Sequence, residues 1–308
     1  MSGAHRPVMA TEVVMALTRE GTRGGRFLDA TLGLGGHSEA LLASRSDARV
    51  AGLDQDGESL VRARARLAPF GERFRATRGN FRDACALLAG EAYDGAVMDL
   101  GVSSPQLDTA ARGFSFQHDA PLDMRMDTEN ARTAADLVNH AACDELERIF
   151  REYGDERRAR RIAEAICAER RAVPVRTTLQ LAEIVTRAAG GARPWARLHP
   201  ATRVFMALRM AVNDELGALR EGLEAIGTLL APGARLAVIS FHSVEDREVK
   251  ARFREWKRVG KARVLTPKPL GPGEKETREN PRARSARLRV AEMTGGQFQQ
   301  PQQGGIHG

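Results

Sequence analysis

Aromatic residues are scarce in this 308-residue chain, which has two tryptophans, two tyrosines and eleven phenylalanines. Rows of rings on which successive bases could stack are not evident, so a nucleic-acid partner would be held mainly through its phosphates. Cysteine is scarcer still. Cys85, Cys143 and Cys167 are far apart and show no Cys-x-x-Cys spacing, which points away from a disulfide framework and from a zinc site. No apolar run approaches membrane-spanning length, and the N-terminus has no signal-peptide core. A soluble protein of the reducing cytoplasm, without a membrane partner, is expected.

Apolar residues and charge, by contrast, are ample. Apolar content of 42% supports a proper core, and the length suits one large domain or two ordinary ones. The net charge of +7 is unevenly spread: residues 247–290 hold fifteen Lys/Arg against five Asp/Glu. That concentration suggests a polyanionic partner. A merely solvated surface is the plain alternative.

The first hundred residues alternate short apolar strands, expected at 26–31, 48–53, 74–79 and 93–100, with helical segments. In 56–67, Leu60, Ala63 and Leu67 share one helical face. From about 133 to 230 only helical periodicity appears, at 133–150, 156–171, 178–189 and 201–230, broken by Pro174, Gly190-Gly191 and Pro200. Strands resume at 234–240, after Ala231-Pro-Gly, and at 286–291. The pattern predicts an α/β fold with a doubly wound, mostly parallel sheet and a helical insertion. Residues 1–107 and 213–293 would form a discontinuous core and 108–212 the insertion. The Gln/Gly-rich 294–308 tail would be disordered.

The most informative stretch is Arg26-Phe-Leu-Asp-Ala-Thr-Leu-Gly-Leu-Gly-Gly-His-Ser38, a strand running through a glycine-rich turn into a helix. Eighteen residues past Gly36, the second strand ends on Asp54, placed to accept both hydroxyls of a ribose. A dinucleotide would call for Gly-x-Gly-x-x-Gly, whereas the order here is Gly33-Leu-Gly35-Gly36-His37-Ser38. Asp29, just ahead of the turn, would also sit poorly beside a pyrophosphate. S-adenosylmethionine carries a sulfonium and an ammonium, so acids around the turn favour it. A nicotinamide-dependent oxidoreductase is the competing reading.

The fourth strand ends in Asp99-Leu-Gly-Val-Ser-Ser-Pro-Gln-Leu107, a polar, tightly turned loop in the crevice where substrate meets cofactor. A turn-forming Asp99 and a solvated Gln106 are the plain alternatives. Together with Arg112-Gly-Phe-Ser-Phe-Gln-His-Asp-Ala-Pro-Leu-Asp-Met-Arg-Met-Asp127, this loop closely resembles the bacterial family that methylates the N4 amine of a decoding-centre cytosine in 16S ribosomal RNA. The likeness extends to 31–38, Tyr153-Gly154, His199-Pro-Ala-Thr-Arg203, Ser240-Phe-His-Ser-Val-Glu-Asp-Arg247 and Asn280-Pro-Arg-Ala-Arg-Ser285. It runs from about His5 to Glu292.

The resemblance implies a class I S-adenosylmethionine-dependent methyltransferase, with the cofactor held by Gly35, Gly36, His37, Asp54, Phe81, Asp99 and Gln106. Phe81 would cover the adenine face and His37 would touch the methionine end. Methyl transfer to an amine needs little beyond placement, because the sulfonium already activates the methyl group. Asp99, or carbonyls of its loop, is the candidate acceptor for a hydrogen bond from the amine. No metal is expected, and no clustered ligand set is evident.

Arg157, Arg158, Arg160 and Arg161, with Arg170 and Arg171 at the same helix's end, are candidates to grip the 16S RNA of the small subunit. Arg282, Arg284 and Arg287 of the basic stretch join them, while the target base is turned out of its stack. His242 would meet the base or a phosphate, a structural role being the alternative. Ion pairing with Glu156 and Glu164 is the plain reading of the insertion arginines. A non-catalytic RNA-binding or ribosome-assembly factor that keeps the fold is the third functional class.

Overall fold

A computed structural model describes residues 7–18, 25–191 and 199–295. The predicted tail disorder falls, from 296 onward, outside the described residues. Seven strands form one sheet: β1 (Arg26–Asp29), β2 (Arg49–Asp54), β3 (Phe74–Arg78), β4 (Tyr93–Asp99), β5 (Leu230–Ser240), β6 (Ala262–Val264) and β7 (Arg287–Met293), in the order β3-β2-β1-β4-β5-β7-β6. The pairs among β1 to β5 are parallel, and β7 runs antiparallel to both β5 and β6. The sheet is doubly wound and mostly parallel, as the alternating pattern predicts.

Alternation along the strands feeds two separate cores. Leu28, Ala96, Met98 and Val238 pack into one apolar cluster, while their neighbours Phe27, Val97, Ala237 and Ile239 pack into another. Both faces are therefore covered by helices, which is why these strands read as continuous apolar runs. A third cluster, including Leu146, Phe150, Ile162, Ile166, Leu181 and Phe205, is built entirely from residues 114–208. The order reverses at β1, which lies between β2 and β4, so a crevice opens at the carboxyl ends of those strands.

Several local expectations are corrected. The helix expected at 133–150 is two, Ala134–His140 and Cys143–Glu152, because Ala141 and Ala142 are extended. That expected at 201–230 breaks into Ala201–Val212 and Glu215–Leu229, with Asp214 left-handed at φ 46° between them. Ala231-Pro-Gly does not precede β5 but bulges within it, since Leu230 already pairs with Tyr93. Helices Ala10–Leu17 and Ser243–Arg258 and the short β6 were not foreseen.

The cysteine reading is corrected too. Cys143 and Cys167 are joined in a disulfide, their Cα atoms 6.2 Å apart. A short turn folds the Cys143–Glu152 helix against Ala159–Ala172, so residues 24 apart in sequence become neighbours. Cys85 is free and exposed.

Candidate active site

The turn after β1 folds back over its two neighbouring strands. Ala30 N–H donates to Val97 O at 2.9 Å and Leu32 N–H to Leu53 O at 2.8 Å. Gly35, at φ 78°, then starts the Gly36–Ser44 helix. A Cβ on Gly35 would lie 2.8 Å from Leu67 Cδ1, and one on Gly36 would lie 2.9 Å from the Pro7 ring. The two glycines differ in role: Gly36 lines the crevice, whereas Gly35 is not among the lining residues and permits close packing of the turn on the Gly57–Leu67 helix.

The crevice is a cavity of about 380 Å³. At one end Asp54 closes β2. Its Oδ2 accepts from Gly33 N–H at 2.7 Å and its Oδ1 from Asp56 N–H at 2.8 Å. Burial pushes the Asp54 carboxyl up to about 6 in spite of those two hydrogen bonds. Phe81 and Asn80 line the same end, Phe81 packed against the sheet's first apolar cluster.

At the end of β4, Asp99 Oδ2 lies 3.3 Å from His37 Nε2, and Asp99 N–H donates to Thr31 Oγ1 at 2.6 Å. Burial disfavours the imidazolium, but the Asp99 hydrogen bond and charge, helped by Asp29 and Glu276, raise His37 above its ordinary value. The other nitrogen of His37 and the other oxygen of Asp99 are buried without a partner. Asp29, expected beside the cofactor, is instead fully buried beneath the turn. It accepts from Ser38 Oγ at 2.8 Å, its own carboxyl is raised by desolvation, and its charge helps raise both His37 and Asp54.

Gln106 is buried rather than solvated. Its Oε1 accepts from Ser103 N–H at 3.0 Å, and its Nε2 donates to Asp56 Oδ2 at 2.9 Å. Arg112 reaches the same Asp56 oxygen at 3.0 Å and donates to the carbonyls of Arg125 and Met126. Asp56 therefore fastens the loop after β4 and the 112–126 strap to the helix it caps.

Apart from His242, the opposite wall escaped the sequence reading. Arg209 makes a bidentate pair with Glu215 at 2.6 and 2.8 Å and lies 3.9 Å from Glu245. Glu245 is buried, which would raise its carboxyl, yet His242, Arg209 and the Phe241 N–H hold it below the usual value. His242 caps the Ser243–Arg258 helix and sits 2.9 Å from Glu245 Oε1, so it has a structural role within the cavity wall. The only sequence signal was the His242-to-Glu245 spacing, which fits a capping box. Arg209, Asn213 and Glu215 were hidden in an apparently unbroken helix.

The RNA candidates do not gather in one place. Arg282 lines the cavity and pairs with Asp108 at 2.6 Å. Arg284 and Arg287 are exposed beside it in sequence, Arg287 lying 3.3 Å from Asp246. Arg157, Arg158, Arg160 and Arg161 are exposed in the helical segment and do not line the cavity. Arg160 pairs with Glu164 at 2.9 Å, and Arg158 donates to Ala189 O. Arg170 is spent on the carbonyls of Val138 and Ala141.

A doubly wound sheet with an acid closing β2, a second acid closing β4 and a glycine turn between them defines a class I methyltransferase. The chain belongs to the MraW methylase family, whose model matches residues 2–294. It is 49% identical over 310 residues to the ribosomal RNA small subunit methyltransferase H of Carboxydothermus hydrogenoformans, covering 95% of this chain and 98% of that one. The protein of the same name from Geobacter sulfurreducens is 50% identical over 311 residues, covering 95% and 99%. That from Gloeobacter violaceus is 52% identical over 288 residues, covering 93% and 87%. No described helix is long and apolar enough to cross a membrane.

Proposed function

We propose that the enzyme methylates the N4 amine of a decoding-centre cytosine in 16S ribosomal RNA, within the small subunit and in the cytoplasm. The observation that carries the chemistry is Asp99 Oδ1, a buried carboxylate oxygen without a partner at the end of β4, its twin oxygen held by His37. The names of the relatives support the RNA substrate.

The cavity fits S-adenosylmethionine. Asp54 offers carboxylate oxygens for ribose hydroxyls, Phe81 an apolar surface for adenine, and Asp99 with His37 polar atoms for the methionine end. When bound, the cofactor supplies a methyl group already activated on a sulfonium. The amine of cytosine is a poor nucleophile because its lone pair is conjugated with the ring. A hydrogen bond from that amine to Asp99 Oδ1 favours a pyramidal nitrogen with its lone pair directed at the methyl group. Asp99 would then take up the amine proton that methyl transfer releases. His37 keeps the carboxylate in register.

Residues 108–212, with their own apolar cluster and exposed Arg157 and Arg161, are proposed to recognise the RNA. Incubating small-subunit particles with tritiated donor tests the reading: methyl transfer to RNA supports it, and a protein that binds particles without turnover would be an assembly factor instead.

A further inference from the structure

Among the described residues, three buried side-chain atoms with neither a hydrogen-bond nor an ion-pair partner belong to residues that line this cavity: His37 Nδ1, Asp99 Oδ1 and Ser103 Oγ. Unpartnered buried polar atoms cost free energy unless something else satisfies them. His37 belongs to the cofactor end, and Asp99 stands between it and the substrate. Ser103 lies outside that pair: its hydroxyl lies in capping-box position toward Gln106 without closing a hydrogen bond, and its proton has no acceptor.

The strand register brings an aromatic ring to the same place. Asp99 pairs with Ile239 across β4 and β5, so Gly101 and Phe241, each two residues on, face each other beyond the strand ends. A Cβ at Gly101 would lie 3.7 Å from Phe241 Cδ2, so the glycine itself sets no side chain against the ring. Phe241 lines the cavity and is only partly buried against the second face's core.

We infer that Phe241 and Ser103 form the subsite for the turned-out base: Phe241 stacks on the ring, and Ser103 Oγ–H donates to N3 while Asp99 Oδ1 accepts from N4. This rests on the proposed function and adds the residues that select the base. Along its pairing edge, cytosine presents a donor at N4 and an acceptor at N3, and the wall offers an acceptor at Asp99 and a donor at Ser103. Uracil presents O4 to the Asp99 carboxylate and is repelled. Stacking on an aromatic side chain and hydrogen bonding on the pairing edge are the general means of holding an extruded base.

The test is single-turnover methyl transfer to particles carrying either cytidine or 3-deazacytidine, which lacks the N3 acceptor, at the target position. For the wild-type enzyme the deaza substitution should slow transfer about ten- to a hundredfold, the loss expected for one buried hydrogen bond. Ser103→Ala should lose as much on cytidine and nothing more on 3-deazacytidine, while Ser103→Thr keeps the wild-type pattern. Losses that simply multiply would overturn the Ser103 assignment.

For the ring, Phe241→Ala should raise KM for particles roughly five- to a hundredfold. Phe241→Trp should restore it and Phe241→Leu should not. If leucine serves as well as tryptophan, Phe241 is only packing and the subsite is wrong. Calorimetric donor affinity, unchanged in every variant, reports an intact fold. A wild-type enzyme that methylates no RNA at all would instead overturn the function itself.

Discussion

His37 Nε2 and Asp99 Oδ2 lie 3.3 Å apart across the crevice between the glycine turn and the end of β4. The contact fixes one oxygen of the carboxylate and leaves the other, buried and unpartnered, for a ligand. It also ties the protonation of a buried histidine to the shape of the site.

Because His37 is raised above its ordinary 6.5, the stabilisation it gives is fully present below 6.5 and is lost as pH rises through the higher folded value. His37→Gln should therefore destabilise the protein most below that pH, with the gap to wild type closing above it. Urea unfolding over a pH series measures the gap, and a constant gap would show that the pair is not an ion pair.

Asp54 titrates in the opposite sense for ligand binding. With its carboxyl at about 6, the ionised form that accepts ribose hydroxyls is depleted below that pH, so donor affinity should fall as pH drops through it. Asp54→Ala should weaken the donor by about 1.5–3 kcal/mol, ten- to a hundredfold, and abolish this pH dependence. Calorimetric titration at several pH values reads both. Unaltered affinity removes Asp54 from the site.

The sheet and the crevice at its strand ends were legible in the sequence because both are local. A strand, a glycine turn and an acid at the next strand's end are short patterns, and Asp54 and Asp99 stand at the strand ends where those patterns place them. The far wall was not legible. Arg209, Glu215 and Glu245 come from segments separated in sequence, and their pairing depends on a helix break at Asp214 that no glycine or proline announces. Asp29 misled for a related reason: its position beside the turn was legible, but its full burial against Ser38 was not. The cysteines were misread because spacing in sequence cannot show which helices fold together.

Asp56 accepts from both Gln106 and Arg112 while itself buried. Asp56→Ala leaves the mostly buried Arg112 guanidinium with only the exposed Glu58 carboxylate, 3.8 Å away, which should cost about 3–5 kcal/mol. Denaturant unfolding should show that loss, and a loss below 1 kcal/mol would mean that the carbonyls of Arg125 and Met126 suffice for Arg112.

Arg282, Arg284 and Arg287 share one exposed segment at the cavity's rim and the start of β7. Neutralising all three should weaken RNA binding and flatten its salt dependence by roughly 0.7–0.9 log–log units per lost phosphate contact, with donor affinity unchanged. An unaltered slope would leave Arg282 and Arg287 to their ion pairs with Asp108 and Asp246 and Arg284 to solvent.

The most direct measurement maps methylated nucleotides by mass spectrometry in 16S RNA from particles treated with wild-type enzyme or with Asp99→Asn. Wild type should add one methyl group to a decoding-centre cytosine. The variant, which keeps its shape and loses its charge, should do so at least about a hundredfold more slowly in single turnover, with its fold checked by circular dichroism. Methylation at another nucleotide, or an Asp99→Asn enzyme with wild-type rate and wild-type donor affinity, would contradict both the substrate and the site.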